Sequence, residues 1–213
     1  MPSTPKFSIV IPTFNRPEML ARAVKSILAQ DFDSYEVIIQ DGGTEHATFE
    51  SPNVRYYVEP DGGITDAINR GFSRATGEIY NWSNDDDEVL PGTLRFVDEA
   101  IGGLCPRHKW LYGKILYGDE PYGREWDYET LRCANIVPQP SVYWRREIHE
   151  PFDGTNDLVS DYEMWLRLGA RHTPLFTPRL MAQYNVHPGQ VTQTRTREQL
   201  EQAEKVKLKY RSA

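Results

Sequence analysis

The feature that most constrains this chain is an alternation over its first hundred residues, in which short β-rich apolar runs take turns with stretches of helical spacing. Phe7 to Ile11, closed by Pro12, suits a buried strand. Pro17 reads as a first-turn proline, and Leu20, Val24, Ile27 and Leu28 lay one apolar stripe on a helix from about Pro17 to Gln30. Tyr35 to Ile39 is a second strand, ending at Asp41-Gly42-Gly43. Such βαβ units bind ligands beyond the carboxyl ends of their strands, where Pro12-Thr13-Phe14-Asn15 and Gln40-Asp41-Gly42 lie.

Val54 to Val58 reads as a third strand running into Glu59-Pro60-Asp61-Gly62-Gly63, a tight turn or a close approach to ligand. Thr65 is the expected N-cap of the next helix, Ala67, Ile68, Gly71, Phe72 and Ala75 its inner face, and Gly77 its stop. Glu78 to Trp82 is a strand, and Pro91 opens a helix with Leu94, Val97 and Ile101 inward and Gly102 at its end. The alternation predicts an α/β fold, a mostly parallel Rossmann-like sheet with helices on both faces.

The pattern weakens beyond Gly103. Lys109 to Tyr117 and Ser141 to Arg145 read as strands, Ser160 to Leu168 and Arg195 to Arg211 as helices, and polar Tyr117 to Asp127 as a flexible loop. The 213 residues suit one domain over 1–194, plus a C-terminal helix over 195–213.

With 24 Lys and Arg against 31 Asp and Glu, net charge −7, no global positive field exists to hold nucleic acid. No apolar run approaches the ~20 residues of a spanning helix, and Met1 to Phe7 lacks a signal-peptide stretch, so a cytoplasmic protein is expected. Cys105 and Cys133 form no Cys-x-x-Cys pair and read as buried thiols. The terminal segment is locally basic, with Leu200, Ala203, Val206 and Tyr210 available as one face. It either packs on its own domain or makes peripheral contact with an anionic membrane surface, at the inner face of the membrane, or with a partner.

Asp85-Asp86-Asp87-Glu88 directly follows a strand, and four such carboxyls repel one another unless something positive meets them. Their hard oxygens suit Mg²⁺ or Mn²⁺, which can neutralise a diphosphate; the plain alternative is a solvated turn capping the Pro91 helix. Asp161, near the first turn of its helix, is either a dipole partner or a general base for a sugar hydroxyl. His187 is the most metal-like of the five histidines, while His46, His108, His149 and His172 read as structural. No Ser-His-Asp arrangement is recognisable.

These segments resemble glycosyltransferase family 2, the inverting family with the GT-A fold. SIVIPTFNRPEMLARAVKSILAQ is similar to its first strand, turn and helix, and VIIQDGGTE to its V-V-D-D-G-S-T-D. PDGGITDAINRGFSRATGEI, WSNDDDEVLPGTL, VPQPSVYWRRE, SDYEMWLRL and VHPGQVT follow in family order, so the likeness runs over about residues 7 to 192. The resemblance implies a nucleotide-binding half to about 103 and an acceptor half from about 104 to 194, and a nucleotide-sugar site that includes Pro12, Thr13, Asn15, Asp41, Asp66, Asp85 and Asp86. Within it, Pro12 and Thr13 line the nucleobase pocket, Asp41 recognises the base and Asp86 approaches the ribose. It further implies Asp87 as main ligand of Mn²⁺ or Mg²⁺, His187 completing that site or touching the diphosphate, and Asp161 as base. Gln40, Ile68 and Gln139 depart from the usual pattern.

The expected activity is transfer of a sugar from a nucleoside-diphosphate donor, a UDP-sugar first, to a carbohydrate or lipid-linked acceptor in cell-surface polysaccharide or glycan synthesis. Two alternatives stand beside it. A sugar nucleotidyltransferase needs a Gly-rich basic loop after the first strand, where only Arg16 is on offer, and a catalytically silent nucleotide- or glycan-binding module has no need of Asp161.

Overall fold

The computed structural model describes residues 4–103 and 107–211. The first half alternates as expected: β1 (Phe7–Thr13), α1 (Pro17–Leu28), β2 (Tyr35–Asp41), β3 (Val54–Val58), α2 (Ile64–Ser73) and β4 (Ile79–Trp82). There follow β5 (Asp87–Val89), α3 (Thr93–Val97), which runs on through a π-helical turn at Asp98–Gly103, β6 (Trp110–Tyr117), β7 (Glu120–Tyr122) and α4 (Tyr128–Cys133). The chain closes with β8 (Tyr143–Arg145), α5 (Ser160–Gly169), β9 (Leu175–Tyr184), α6 (Val191–Thr194) and α7 (Thr196–Arg211).

The strands form one curled sheet in the order β3-β2-β1-β4-β8-β6-β9-β5, with β7 paired to β6. The side from β3 to β4 is wholly parallel, and β6 pairs parallel with β9. The short strands β5, β7 and β8 pair antiparallel. Because successive side chains of a strand point to opposite faces, Val10 and Ile38 pack with Ile68 and Phe72 of α2 and Met164 and Trp165 of α5, whereas Ile9, Ile11, Val37 and Ile39 pack with α1 and α3. At Gly71 helix α2 comes so near β1 that a Cβ would lie 2.3 Å from Val10 Cγ1.

Several expectations need correction. Thr65 is not the N-cap of α2: Gly63 holds that position, and the Thr65 N–H donates 3.0 Å to Asp157 Oδ1 from a distant turn. Gly77 does not stop the helix, which ends at Ser73, but passes against Phe7 and Ser8 of β1. Pro91 does not open a helix, since α3 begins at Thr93 after left-handed Gly92. Tyr117 to Asp127 is not a free loop, because Glu120–Tyr122 folds back on β6 as a hairpin. Strand β9 had no periodic signal, since it carries Pro178 and Arg179 at its bulged middle. Cys133 is exposed rather than buried, and Cys105 lies outside the described residues.

Helix α7 packs on the domain. Val206 is buried, Ala203 and Tyr210 lie against the core, and Tyr210 Oη donates 2.6 Å to Glu163 Oε1. Leu200, expected inward, is exposed. Gln202 Oε1 accepts the Leu158 N–H at 2.9 Å and Gln199 Nε2 donates to the Leu158 carbonyl, so α7 holds the Gly154–Val159 turn in place. Among the described residues no helix is long and apolar enough to cross a membrane.

Candidate active site

A cavity of about 820 Å³ opens at the carboxyl ends of β1 and β4. Pro12, Thr13, Asp85, Asp86, Asn135 and Asp161 all line it. Strand β1 ends at Thr13, whose Oγ1 donates 2.7 Å to Asp85 Oδ2. Arg16, a cation on the cavity wall, reaches Asp85 Oδ1 at 3.3 Å and Asp86 Oδ2 at 3.4 Å. His187 Nε2 lies 3.0 Å from Asp86 Oδ2, so the late histidine segment returns to the acidic run.

The acidic run is not a solvated turn. Asp87 opens β5, which pairs with β9 and draws its carboxyl inside. Asn84 Nδ2 donates 3.0 Å to Asp87 Oδ2 and 2.9 Å to Gln139 Oε1, and Gln139 Nε2 donates 2.6 Å to the Trp82 carbonyl. Asp87 Oδ1 is buried with no partner. Burial, and then the neighbouring charge of Asp86, hold the Asp87 carboxyl well above the usual carboxylate range. Burial pushes Asp85 up to about 6 against the opposing hydrogen bond from Thr13.

Asp161 stands in the first turn of α5, and Asn135 Nδ2 donates 3.1 Å to its Oδ2. Burial pushes its pKa to about 6, and its hydrogen bonds only partly offset this. It is therefore a carboxylate at neutral pH that gains from accepting a proton.

Five other residues expected at the site stand back from the cavity wall: Asn15, Asp41, Asp66, Asp87 and His187. Asn15 has left-handed backbone, φ 54°, and its Oδ1 accepts the N–H groups of Thr44 and Glu45 at 2.6 and 3.0 Å, pinning the loop after β2. Asp41 is buried and accepts from Gly43 N–H, Tyr56 Oη and His46 Nδ1. Asp66 accepts the Gly62 N–H and pairs with Arg70. The sequence reading missed the His46 contact with Asp41, the Asn84–Gln139 relay and the Asn135 contact. None of these has a spacing signal, because each joins segments far apart in the chain or turns on a loop.

Among the described residues no three His, Cys, Asp or Glu side chains are already gathered as a ligating cluster. The donor set of Asp85, Asp86 and Asp87 nonetheless fits a divalent cation, because buried carboxylate oxygen, one atom of it unpartnered, is the hard ligand that Mg²⁺ and Mn²⁺ take.

Residues 8–101 match the profile described as Glycosyl transferase family 2, and they carry β1 to α3 with the acidic run. That segment, a little under half of the chain, is what the chain shares with glycosyltransferase family 2. Over 100 residues the chain is 34% identical to the GalNAc(5)-diNAcBac-PP-undecaprenol beta-1,3-glucosyltransferase of Campylobacter jejuni, covering 42% of the chain and 32% of that protein. The chain thus spans about a third of that relative's length. Its fold matches that of S. aureus TarS 1-349 in complex with UDP-GlcNAc, with TM-score 0.66 at 16% identity over 89% of this chain and 61% of that one. It equally matches the mannosyltransferase PcManGT from Pyrobaculum calidifontis in complex with GDP-Man and Mn²⁺, with TM-score 0.66 at 17% identity over 98% and 65%. The curled α/β sheet is thus the GT-A fold.

Proposed function

We propose that this chain is an inverting glycosyltransferase of family 2. It moves one sugar from a nucleoside-diphosphate donor, a UDP-sugar first, to a hydroxyl of a carbohydrate or lipid-linked acceptor in glycan or cell-surface polysaccharide synthesis. The observation that carries this reading is that Asp161, a carboxylate with its pKa near 6, lines the same cavity as Asp85 and Asp86. The C. jejuni relative, named for an undecaprenol-linked acceptor, and TarS with its UDP-GlcNAc support the acceptor and donor classes.

In this reading Pro12 and Thr13 border the nucleobase. Asn15 and Asp41 hold the loop beside it, Asp66 fixes the Gly62 turn, and Asp86 meets the ribose. Asp161 Oδ accepts the acceptor's hydroxyl proton while that oxygen forms a bond to the anomeric carbon on the side opposite the diphosphate. The bond from that carbon to the diphosphate oxygen breaks, the nucleoside diphosphate leaves with the electron pair, and the anomeric configuration inverts. Asn135 orients the base, and burial keeps it basic enough to take the proton. A Mn²⁺ or Mg²⁺ ion held by Asp87 with its acidic neighbours and His187 supplies charge neutralisation at the diphosphate when bound.

Membrane contact is no part of this proposal. Arg195, Arg197 and Lys207 pair with glutamates of α7 itself, so the helix shows mixed charge rather than a polybasic face.

The test is a thermal-shift and turnover panel of UDP-glucose, UDP-galactose, UDP-GlcNAc and GDP-mannose with and without Mn²⁺. A UDP-sugar is expected to raise Tm more with the ion than without it. A panel in which no nucleotide sugar changes Tm or is consumed sinks the reading, and pyrophosphate release from a nucleoside triphosphate plus sugar phosphate replaces it with nucleotidyl transfer.

A further inference from the structure

The cavity is also lined by three tyrosines that no step above uses. Tyr117 closes β6, Tyr122 lies on β7, and Tyr184 closes β9. They are joined through the sheet: Asp87 of β5 is the register partner of Tyr184, Tyr184 is the partner of Tyr117, and Tyr117 is the partner of Glu120. Side chains directly opposite one another on paired strands share a face. One cross-strand row therefore runs from the buried Asp87 carboxyl outward along the cavity. Tyr122 joins it because it is paired with Ile115, two residues before Tyr117 and thus on the same face.

The rings of Tyr117 and Tyr184 stack with centroids 4.9 Å apart and planes 10° apart, and the Tyr122 ring lies 6.3 Å from Tyr117. Tyr117 is 41% and Tyr122 49% exposed, and all three line the cavity that also holds Asp161. Among the described residues the hydroxyls of Tyr117 and Tyr122 bond to no protein group, whereas Tyr184 Oη meets Thr192 Oγ1 at 3.3 Å. The hairpin bends at Gly118, whose φ of 59° favours glycine and lets β7 turn straight back over the row.

The geometry points to a carbohydrate-stacking subsite on Tyr117, Tyr122 and Tyr184 that holds a pyranose ring of the acceptor. Aromatic faces are electron-rich, so the weakly positive C–H groups on one face of a sugar ring rest on them, while unpaired tyrosine hydroxyls take its O–H groups. A bare lipid tail needs no such hydroxyls. The place along the row separates acceptor from donor. Asp87 marks the diphosphate end, and Tyr117 stands two strands farther out, about 10 Å at the usual ~4.8 Å per strand. That span leaves the donor sugar between them and the ledge beyond it. This subsite rests on the proposed transfer for the name of its occupant and for the diphosphate end at Asp87.

Saturation-transfer difference NMR on the full chain tests it, with methyl β-D-glucopyranoside, methyl N-acetyl-β-D-glucosaminide and methyl α-D-mannopyranoside as probes. At least one glycoside should receive saturation, and Tyr122→Ser should cut it by about fivefold while Tyr122→Phe, which keeps the ring, retains most of it. UDP-GlcNAc with Mn²⁺ should leave the wild-type signal in place. The subsite is overturned if no glycoside is saturated, if a Tyr122→Ser protein with unchanged circular dichroism keeps the full signal, or if UDP-GlcNAc displaces the glycoside, which would make the ledge part of the donor site. A wild-type protein that binds glycosides on the tyrosines but no nucleotide sugar would retain the subsite and remove the transferase reading instead.

Discussion

Asn135 Nδ2 donates to Asp161 Oδ2 at 3.1 Å, the one side-chain hydrogen bond made by that carboxylate among the described residues. It favours the ionised form of a group that burial pushes the other way. Asn135→Ala should make Asp161 harder to ionise and move the acid limb of the kcat/KM profile to higher pH. Since a hydrogen bond to a charged group contributes ~1.5–3 kcal/mol, the loss should reach about tenfold at pH 6 and shrink toward pH 8. A uniform loss at every pH would assign Asn135 to folding alone.

With its pKa near 6, Asp161 predicts that wild-type kcat/KM rises through pH 6 and levels above pH 7. Asp161→Asn should lower kcat by about 10²–10⁴ with donor affinity kept, as measured by turnover and by calorimetric titration with the nucleotide sugar.

The same group makes a stability prediction of opposite sign. Its pKa rises from 3.8 to about 6 on folding, so the folded state binds the extra proton, and the stabilisation present near pH 4 is lost as pH rises through 6. Asp161→Asn, which keeps the shape of the neutral acid, should therefore be more stable than wild type at pH 8, by on the order of 2–3 kcal/mol, and similar at pH 4. Denaturant midpoints at the two pH values measure this.

Gln139 ties the Trp82 carbonyl to Asn84, and Asn84 holds Asp87 Oδ2. Gln139→Ala should loosen Asp87 and weaken Mn²⁺ binding by about tenfold in electron paramagnetic resonance titrations without nucleotide. Excess Mn²⁺ should then restore most of the activity; unchanged Mn²⁺ affinity would remove Gln139 from this role.

A Cβ at Gly71 would lie 2.3 Å from Val10 Cγ1. Gly71→Ala should push α2 from β1 and destabilise the fold by about 1–3 kcal/mol, read as a fall of several degrees in Tm.

Much of the first half was legible in sequence because β1 and β2 are largely apolar runs buried on both faces and the helices carry clean stripes, as with Ile9, Ile11, Leu20, Val24 and Ile27. Boundaries failed where tertiary contacts took over. Thr65 is capped by Asp157 rather than capping itself, and Glu120–Tyr122 is a strand only because β6 offers an edge to pair with. The acidic run was conspicuous as residues, but its burial was not, since that needs β5 to pair with β9.

By itself, then, the sequence determined the βαβ alternation, the position of Pro12 and Thr13 at a strand end, and the placing of Asp85 to Asp87 just after another strand, because hydrophobic periodicity and turn chemistry are local properties. Only the tertiary structure decided which of these side chains share a cavity. Asp161 lines it together with Asp85, His187 returns to Asp86, and Asn135 and Gln139 orient carboxylates far from them in the chain. Such distances are set by how the second half of the sheet closes on the first, through the pairings of β4 with β8, β6 with β9 and β5 with β9, which join segments far apart in the chain.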